Sequence, residues 1–328
     1  MRELTYREAI REALREEIRR DERVFIMGED IANYGGSFRV TQGLLAEFGP
    51  ARIFDTPLSE SAIVGAAVGA SLMGMRPVAE VMFADFCTIA MDAIVNHAAK
   101  MHYMYGGEVS APLVLRMAYG GGLRFAAHHS QSVESWLANV PGLTLLMPAT
   151  PADAKGLLKA AIRTPNPVIF LEHKLLYNSK GEVPEGEYLV PIGQAAVKRE
   201  GDGVTIVATG LMVDRALGAA RTLAREGVSA EVIDLRSIQP LDEETILASV
   251  EKTGRLVIAH EAPVRGGFGG EIAAVVAHRA FGYLDAPIQR VGAPWTPVPF
   301  GPTLEEAYLP KESDIIKAAR TVAGTPVG

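Results

Sequence analysis

Short apolar runs alternate with amphipathic segments along most of the chain. Runs such as 24–27 and 78–83 carry apolar residues at nearly every position, which is typical of strands buried in a parallel sheet. Between the runs, apolar residues recur at helical spacing, and Thr5-Tyr6-Arg7-Glu8 forms a capping box ahead of the first such segment. The pattern predicts an α/β protein whose mostly parallel sheets are flanked by helices.

The predicted elements fall into two groups separated by a polar stretch at 173–190, which has no clear periodicity. We therefore predict two domains, 1–185 and 186–328, and a chain of 328 residues is long enough for both. Predicted strands are 24–27, 52–55, 78–83, 113–117, 143–147, 168–171, 204–208, 230–235, 256–260 and 288–291. The main predicted helices cover 6–18, 62–74, 85–105, 152–162, 213–226, 242–250, 271–281 and 313–322.

Composition narrows the class of protein. Hydrophobic residues make up 48% of the chain, which supplies a sizeable core, and the net charge of −7 argues against a nucleic-acid partner. Cys87 is the only cysteine, so no internal disulfide can form, which suits a reducing compartment. No apolar run is long enough to span a membrane, and no signal peptide is recognised. We expect a cytoplasmic protein, or an organellar matrix protein whose transit peptide has been removed.

The segment Asp55-Thr56-Pro57-Leu58-Ser59-Glu60-Ser61 joins a predicted strand to an apolar helix at 62–74. Ser59 is expected as the helix N-cap, which puts Glu60 in the first turn, where the helix dipole favours a carboxylate. The helix is apolar nearly all round, so we expect it to be buried, and its alanines and glycines would let another backbone approach closely. Burial favours the protonated form of a carboxyl group, so Glu60 is a candidate for proton transfer. A surface capping acid is the alternative.

A second candidate is Ala127-His128-His129-Ser130-Gln131-Ser132, which follows a predicted strand and a glycine-rich turn. Ligands bind at the carboxyl ends of parallel strands, and an imidazole can exchange a proton near neutral pH. Two adjacent histidines point in different directions, so at most one of them faces a site. The alternative is one exposed and one buried histidine without a catalytic role.

The segment around Glu60 resembles the TPLSE segment of the β subunits of thiamine diphosphate-dependent 2-oxo acid dehydrogenases. This family contains the decarboxylating components of pyruvate, branched-chain and acetoin dehydrogenases, and the similarity runs from Met27-Gly28-Glu29-Asp30 almost to the C-terminus. The resemblance implies a transketolase-like pyrimidine-binding domain followed by a transketolase C-terminal-like domain for subunit contacts. It also implies oxidative decarboxylation of a 2-oxo acid and transfer of the acyl group to a lipoyl group on an acyltransferase. The sequence does not identify the 2-oxo acid, and pyruvate is the first candidate.

The resemblance assigns roles to individual residues. Glu60 matches the glutamate that hydrogen-bonds N1′ of the aminopyrimidine and promotes loss of the C2 proton of the cofactor. His129 matches the histidine of the HSQ signature, which orients intermediates and assists acyl transfer to the lipoyl arm. Phe86 matches the aromatic residue that packs on the pyrimidine, although core packing is the alternative, and Leu58 is a further cofactor contact. Ile89 stands where many relatives carry a polar residue.

The resemblance further implies a structural potassium ion, held by backbone carbonyls where Pro165 and Pro167 end a helix. Carbonyl oxygens at a helix C-terminus can hold a cation, although a plain helix stop is the alternative. The matching carbonyls belong to Leu113, Ala161, Ile162, Thr164 and Asn166.

Gly201-Asp202-Gly203 resembles the start of the motif with which thiamine enzymes bind the Mg²⁺ diphosphate. That motif ends in an asparagine, and no asparagine follows Asn178, so we predict only a hairpin-like turn. The resemblance then implies that an α subunit holds the diphosphate and Mg²⁺ in an α2β2 heterotetramer. Neither a dinucleotide-binding nor a P-loop motif is present.

Two other functions stay open from the sequence. An acetoin dehydrogenase β subunit would use the same cofactor to cleave a C–C bond without decarboxylation. A non-catalytic scaffold subunit would bind only the α subunit and the acyltransferase, but such a chain has no need of Glu60 and His129.

Overall fold

The computed structural model describes residues 1–324, which fall into two compact units. The first unit comprises 1–120 and 136–192, and the second comprises 121–135 and 193–324. The segment 121–135 was predicted within the first domain but packs with the second unit. Among the residues described, no helix is both long and apolar enough to cross a membrane.

The first unit is built on a parallel sheet. Six of its strands follow the order β6-β7-β5-β4-β2-β3, and β1 and β8 form a separate antiparallel pair. The strands are β1 (Arg2–Thr5), β2 (Val24–Gly28), β3 (Ile53–Asp55), β4 (Arg76–Val81), β5 (Val114–Tyr119), β6 (Thr144–Leu146), β7 (Val168–His173) and β8 (Lys180–Val183). The helices are α1 (Tyr6–Arg20), α2 (Leu44–Phe48), α3 (Glu60–Leu72), α4 (Met101–Met104), α5 (Glu134–Ala138), which begins in 121–135, and α6 (Pro151–Arg163).

The second unit has a sheet in the order β14-β13-β10-β11-β9, parallel except for β9. Its strands are β9 (Ala196–Arg199), β10 (Val204–Ala208), β11 (Ala230–Asp234), β12 (Ser237–Gln239), β13 (Leu256–Pro263) and β14 (Gln289–Ala293). Its helices are α7 (Leu211–Arg225), α8 (Glu243–Thr253), α9 (Gly269–Arg279), α10 (Pro302–Tyr308) and α11 (Glu312–Ala323).

The sequence predicts the regular elements well where hydrophobic periodicity is strong. The capping box at Thr5 and Glu8 forms as expected, since each side chain accepts a hydrogen bond from the other residue's backbone N–H. The turn predicted at 201–203 does precede β10, but it is not a hairpin, because β9 pairs with β11 and not with β10. Strand β8 lies inside the polar stretch at which we predicted the domain boundary, and its partly exposed residues gave no hydrophobic signal.

The helix predicted over 85–105 is broken into a 3-10 helix (Ala84–Thr88), a π-helix (Ala93–Ala98) and α4. The Thr88 hydroxyl donates to the Asp85 carbonyl at 2.9 Å within the first piece. The N–H of Ala99 reaches the carbonyl of Ile94, five residues earlier, at 3.0 Å, which is the spacing of a π-helix. Local hydrogen bonds of this kind are not visible in a hydrophobicity pattern.

Helix α3 is buried on one face only, so the expectation of a fully buried helix is wrong for this chain taken alone. The face toward the sheet carries Ile63, Val64, Ala67 and Val68, all buried. The opposite face is exposed and consists of Ala62, Gly65, Ala66 and Gly69.

A buried ion cluster crosses the centre of the first sheet. Arg116 on β5 donates to both carboxylate oxygens of Glu172 on β7 and to one oxygen of Glu80 on β4, each at 2.7 Å. The Tyr177 hydroxyl donates to Glu172 at 2.8 Å. Burial raises the pKa of Glu80, and the positive charge of Arg116 opposes that rise.

We expect Arg116→Met to destabilise the fold by about 3–5 kcal/mol, because it leaves two carboxylates buried without their cation. The loss should be largest at neutral pH and should shrink toward pH 4. Buried carboxyl groups without a cation have raised pKa values. The variant therefore loses stability as the pH rises and these groups lose their protons, and it regains stability toward acid pH. Urea unfolding at several pH values measures both effects.

The matched control is Arg19→Met, since Arg19 is 64% exposed and pairs with Glu47 at the surface. That change should cost less than about 1 kcal/mol. Equal losses for the two variants would contradict the importance of the buried cluster.

Candidate active site

Glu60 is the first residue of α3 and is 8% exposed. Ser59 occupies the N-cap position as predicted, but its side chain makes no capping hydrogen bond. Within residues 1–324, no hydrogen bond or ion pair engages the Glu60 carboxylate. Its oxygens are therefore available as acceptors in a mostly buried position, as a partner for a ring nitrogen requires.

A hydrogen bond joins the start of α3 to the turn that carries Phe86. The Ser61 hydroxyl donates to the Ile89 carbonyl at 2.6 Å, directly after the 3-10 helix. Phe86 is half-buried and stands edge-on to Phe83, with ring centroids 5.9 Å apart. Leu58 is 83% exposed, so its apolar side chain is open to a ligand or to another chain. This hydrogen bond therefore joins the segment that begins with Glu60 to the turn that carries Phe86.

The Glu60 segment lies at the carboxyl ends of β2 and β3. Asp55 accepts a hydrogen bond from the N–H of Ala32 at 2.7 Å, and the N–H of Thr56 donates to the Gly28 carbonyl at 2.9 Å. These bonds hold the loop after β2 against the end of β3. Carboxyl ends of parallel strands are the usual place for ligands in such sheets, as the sequence analysis expected.

Glu29, which the sequence analysis did not single out, is a second buried carboxyl group in this region. It is 4% exposed, and its Oε1 has no hydrogen-bond partner among the described residues. Burial raises its pKa, and the negative charges of Glu60, Asp30 and Glu80 raise it further. The sequence feature that could have indicated Glu29 as a site residue is its position directly after the apolar strand β2. Glu60 therefore has a neighbour that holds its own proton more readily than an exposed glutamate.

His128 and His129 lie in the segment 121–135 of the second unit, whereas Glu60 and Phe86 lie in the first. His128 is exposed and His129 is half-buried, and their ring centroids are 4.4 Å apart. The backbone before them has positive φ at Gly122 (95°), Arg124 (62°) and Ala126 (63°). Two of these are not glycine, and each such residue costs of order 1–2 kcal/mol, so the surrounding structure must hold the segment in place.

The carbonyls predicted to hold potassium lie near a guanidinium group. Nη1 of Arg76 donates to the carbonyls of Ile162 at 2.7 Å and Thr164 at 3.1 Å. The carbonyl of Leu113 accepts the N–H of Val168 at 2.9 Å. Arg76 lies far from these residues in the sequence, and it brings a positive charge to this corner of the fold.

The turn Gly201-Asp202-Gly203 packs closely against backbone atoms of the second unit. A Cβ atom on Gly201 would lie 2.3 Å from the carbonyl carbon of Ala230, so only glycine allows this approach. The N–H of Asp202 donates to the Ser229 hydroxyl at 3.3 Å. Within the described residues, no three His, Cys, Asp or Glu side chains are grouped so as to hold a metal ion.

Comparisons with known proteins identify the family of both parts of the chain. The family described as "Transketolase, pyrimidine binding domain" matches residues 2–180, and "Transketolase, C-terminal domain" matches 193–315. A solved structure described as a split gene transketolase, an inactive beta4 tetramer, has a TM-score of 0.81 and 27% identity and covers 98% of each chain.

Three curated relatives match along nearly their whole length. Acetoin:2,6-dichlorophenolindophenol oxidoreductase subunit beta of Cupriavidus necator is 51% identical over 97% of each chain. Pyruvate dehydrogenase E1 component subunit beta of Rickettsia felis is 48% identical over 98% of each. 2-Oxoisovalerate dehydrogenase subunit beta of Bacillus subtilis is 47% identical over 98% of this chain and 99% of the relative. The chain therefore belongs to the family of transketolase-type β subunits that includes those of pyruvate dehydrogenase, 2-oxoisovalerate dehydrogenase and acetoin oxidoreductase.

Proposed function

We propose that this chain is the β subunit of a 2-oxo acid dehydrogenase that decarboxylates pyruvate oxidatively and passes the acyl group to a lipoyl group of an acyltransferase. The observation that carries the proposal is the mostly buried Glu60, whose carboxylate has open acceptors at the start of α3. The cofactor of the family is thiamine diphosphate, which when bound supplies a nucleophilic carbon and an electron sink for decarboxylation.

In this proposal, Glu60 holds a proton between its carboxylate and N1′ of the aminopyrimidine. Burial raises the pKa of Glu29 and the negative charge of Glu60 raises it further, so Glu29 is a second carboxyl group near Glu60 that holds a proton readily. Phe86 offers a half-buried ring to the pyrimidine, and ring stacking contributes about 0.5–1.5 kcal/mol beyond area burial. The exposed side chain of Leu58 adds an apolar contact on the same segment.

His129 supplies the second protein group. Its imidazole can give or accept a proton at neutral pH, so it orients the substrate oxygen and transfers a proton as the acyl group moves to a lipoyl sulfur. Its half-buried position limits access of water to the ring. His128 is exposed, and no role is assigned to it.

An α subunit is required to complete the enzyme in this proposal. The exposed face of α3 is made of alanine and glycine, and a Cβ atom on Gly65 or Gly69 would have no atom of residues 1–324 within 4 Å. Exposed apolar side chains continue at the end of the helix, where Met73 is 85% exposed. A helix of the α subunit packed on this face would bury it, and the α subunit would hold the diphosphate and Mg²⁺ in an α2β2 heterotetramer.

An acetoin dehydrogenase β subunit is the second candidate, because the Cupriavidus necator relative with that name shares 51% identity. Both candidates use the same Glu60 and His129, so substrate tests must separate them.

The experiment is turnover of the chain co-expressed with its α partner, with thiamine diphosphate, Mg²⁺ and an artificial electron acceptor. Pyruvate, a branched-chain 2-oxo acid and acetoin are compared side by side. Activity on pyruvate supports the proposal, and activity on acetoin alone selects the second candidate. A well-formed complex without activity on any of the three would favour a scaffold subunit.

We expect Glu60→Gln to leave the heterotetramer intact and to lower turnover by about 10²–10⁴-fold, because the amide cannot exchange a proton with the pyrimidine. Turnover and deuterium exchange at C2 of the cofactor measure the loss. Glu22→Gln, at an exposed position on the surface, is the matched control and should keep full activity. Normal turnover of the Glu60 variant would remove its assigned role.

We expect Gly65→Leu to block assembly without harming the chain itself, since the added side chain points into open space on α3. Size-exclusion chromatography with the α partner should show loss of the complex, while circular dichroism of the chain alone stays unchanged. Arg221→Leu adds an apolar side chain at an exposed position of α7 and should assemble normally. Assembly of the Gly65 variant would mean that another face binds the α subunit.

We also propose that the carbonyls of the 161–166 corner hold a potassium ion beside Arg76. A bound ion stabilises the fold by an amount that grows with concentration, about 2.7 kcal/mol at a hundredfold excess over Kd. Thermal unfolding in KCl should therefore begin at a higher temperature than in choline chloride of equal ionic strength. Arg76→Met should enlarge this difference, because it frees the carbonyls of Ile162 and Thr164. Identical curves in the two salts would exclude the site.

A further inference from the structure

Two buried carboxylates of the second unit bind the backbone of the segment that carries His129. Glu305 on α10 is 3% exposed, and its Oε1 accepts the N–H of Gly122 at 2.8 Å. The N–H of Arg124 donates to both oxygens, to Oε1 at 3.3 Å and to Oε2 at 3.1 Å. Within the described chain, the Glu305 side chain makes no other hydrogen bond.

Glu261 at the end of β13 holds the same segment at two further points. Its Oε1 accepts the N–H of Gly121 at 2.7 Å and faces the Ser132 hydroxyl at 3.4 Å. Glu261 is 6% exposed, so these bonds form away from bulk water. The two carboxylates together bind both ends of the stretch 121–132, and His129 lies between the bound ends.

The geometry explains why carboxylates occupy these positions. The positive φ values at Gly122 and Arg124 turn nearby backbone N–H groups to one side, which forms a concave anion-binding site of the kind called a nest. A carboxylate fills such a nest with charge-assisted hydrogen bonds, which are about twice as strong as neutral ones. An amide or an apolar side chain of the same size would leave at least one of these N–H groups poorly paired.

The approach of α10 to the segment is close. A Cβ atom on Gly121 would lie 2.8 Å from Cδ2 of Leu309, at the end of α10. The absence of a side chain at Gly121 therefore lets α10 bring Glu305 within hydrogen-bond distance of the turn. The Glu305 N–H donates to the Gly301 carbonyl at 2.8 Å, which fixes the first turn of α10.

We propose that Glu305, assisted by Glu261, is a positioning residue that sets the location of the His129 imidazole through the backbone of 121–132. The inference rests on the catalytic role proposed for His129. Neither glutamate needs to touch substrate or cofactor, since each acts on the segment from the side of α10 and β13.

The test is Glu305→Gln in the assembled holoenzyme, with Glu306→Gln as the matched control on the same helix. Glu306 is exposed and pairs with Lys311 at the surface. We expect Glu305→Gln to lower kcat by about 10–100-fold with little change in KM, because displacement of a catalytic group by about 1 Å has this effect. Glu306→Gln should stay within about twofold of the parent enzyme.

Two further readouts separate positioning from simple stability. Hydrogen exchange followed by mass spectrometry should show faster exchange of peptides covering 121–127 in Glu305→Gln only. The double variant Glu305→Gln/His129→Ala should be as slow as His129→Ala alone, because both changes remove the same contribution. Glu305→Asp keeps the charge and should recover part of the lost kcat, and it replaces the Gln variant if that variant fails to assemble.

The outcomes distinguish this inference from the proposed function. If His129→Ala is slow but Glu305→Gln matches the parent enzyme in kcat and exchange, the inference alone is wrong. If the two changes multiply in the double variant, Glu305 acts independently of His129 and the inference is again wrong. Full activity of His129→Ala would remove the proposed role of His129, and this inference with it.

Discussion

The ion pairs of the Arg116 guanidinium are the interactions on which the first unit depends most. Arg116 lies on β5 and binds carboxylates on both neighbouring strands, so one side chain links three adjacent parallel strands. One of these carboxylates, that of Glu80, belongs to a residue that also lies beside the start of the loop after β2. A Cβ atom on Gly28 would lie 2.8 Å from the backbone carbonyl oxygen of Glu80. The same loop carries Glu29, whose pKa is raised in part by the charge of Glu80. The charges of the central ion cluster therefore affect the pKa of a carboxyl group near Glu60.

Helix α3 combines two functions that usually lie on separate elements. Its first residue is the proposed proton-transfer carboxylate, and its outer face of alanine and glycine is the proposed contact with the α subunit. A rigid helix connects the two, so any packing on the outer face acts directly on the position of Glu60. Activity and assembly are expected to be linked for this reason.

The second unit supplies the His129 segment and the groups that hold it. The segment contains non-glycine residues with positive φ, a conformation that a short loop does not keep unaided. Glu305 comes from a helix about 180 residues further along the chain, yet it binds the turn within hydrogen-bond distance. In the proposed function, His129 is a reactive side chain on a loop that buried carboxylates hold in place.

The sequence by itself determined the class of fold and the main candidate residues, because both depend on local patterns. Buried parallel strands read as apolar runs, α1 begins at a capping box, and Glu60 and His129 follow predicted strand ends. Only the tertiary structure decided that one face of α3 stays open, that Arg76 binds the carbonyls of Ile162 and Thr164, and that Glu305 holds the His129 segment. These contacts join residues far apart in the chain, and their distances depend on how the elements pack. A periodicity of two or of 3.6 residues reports which face of an element is apolar, but not which distant side chain will meet it.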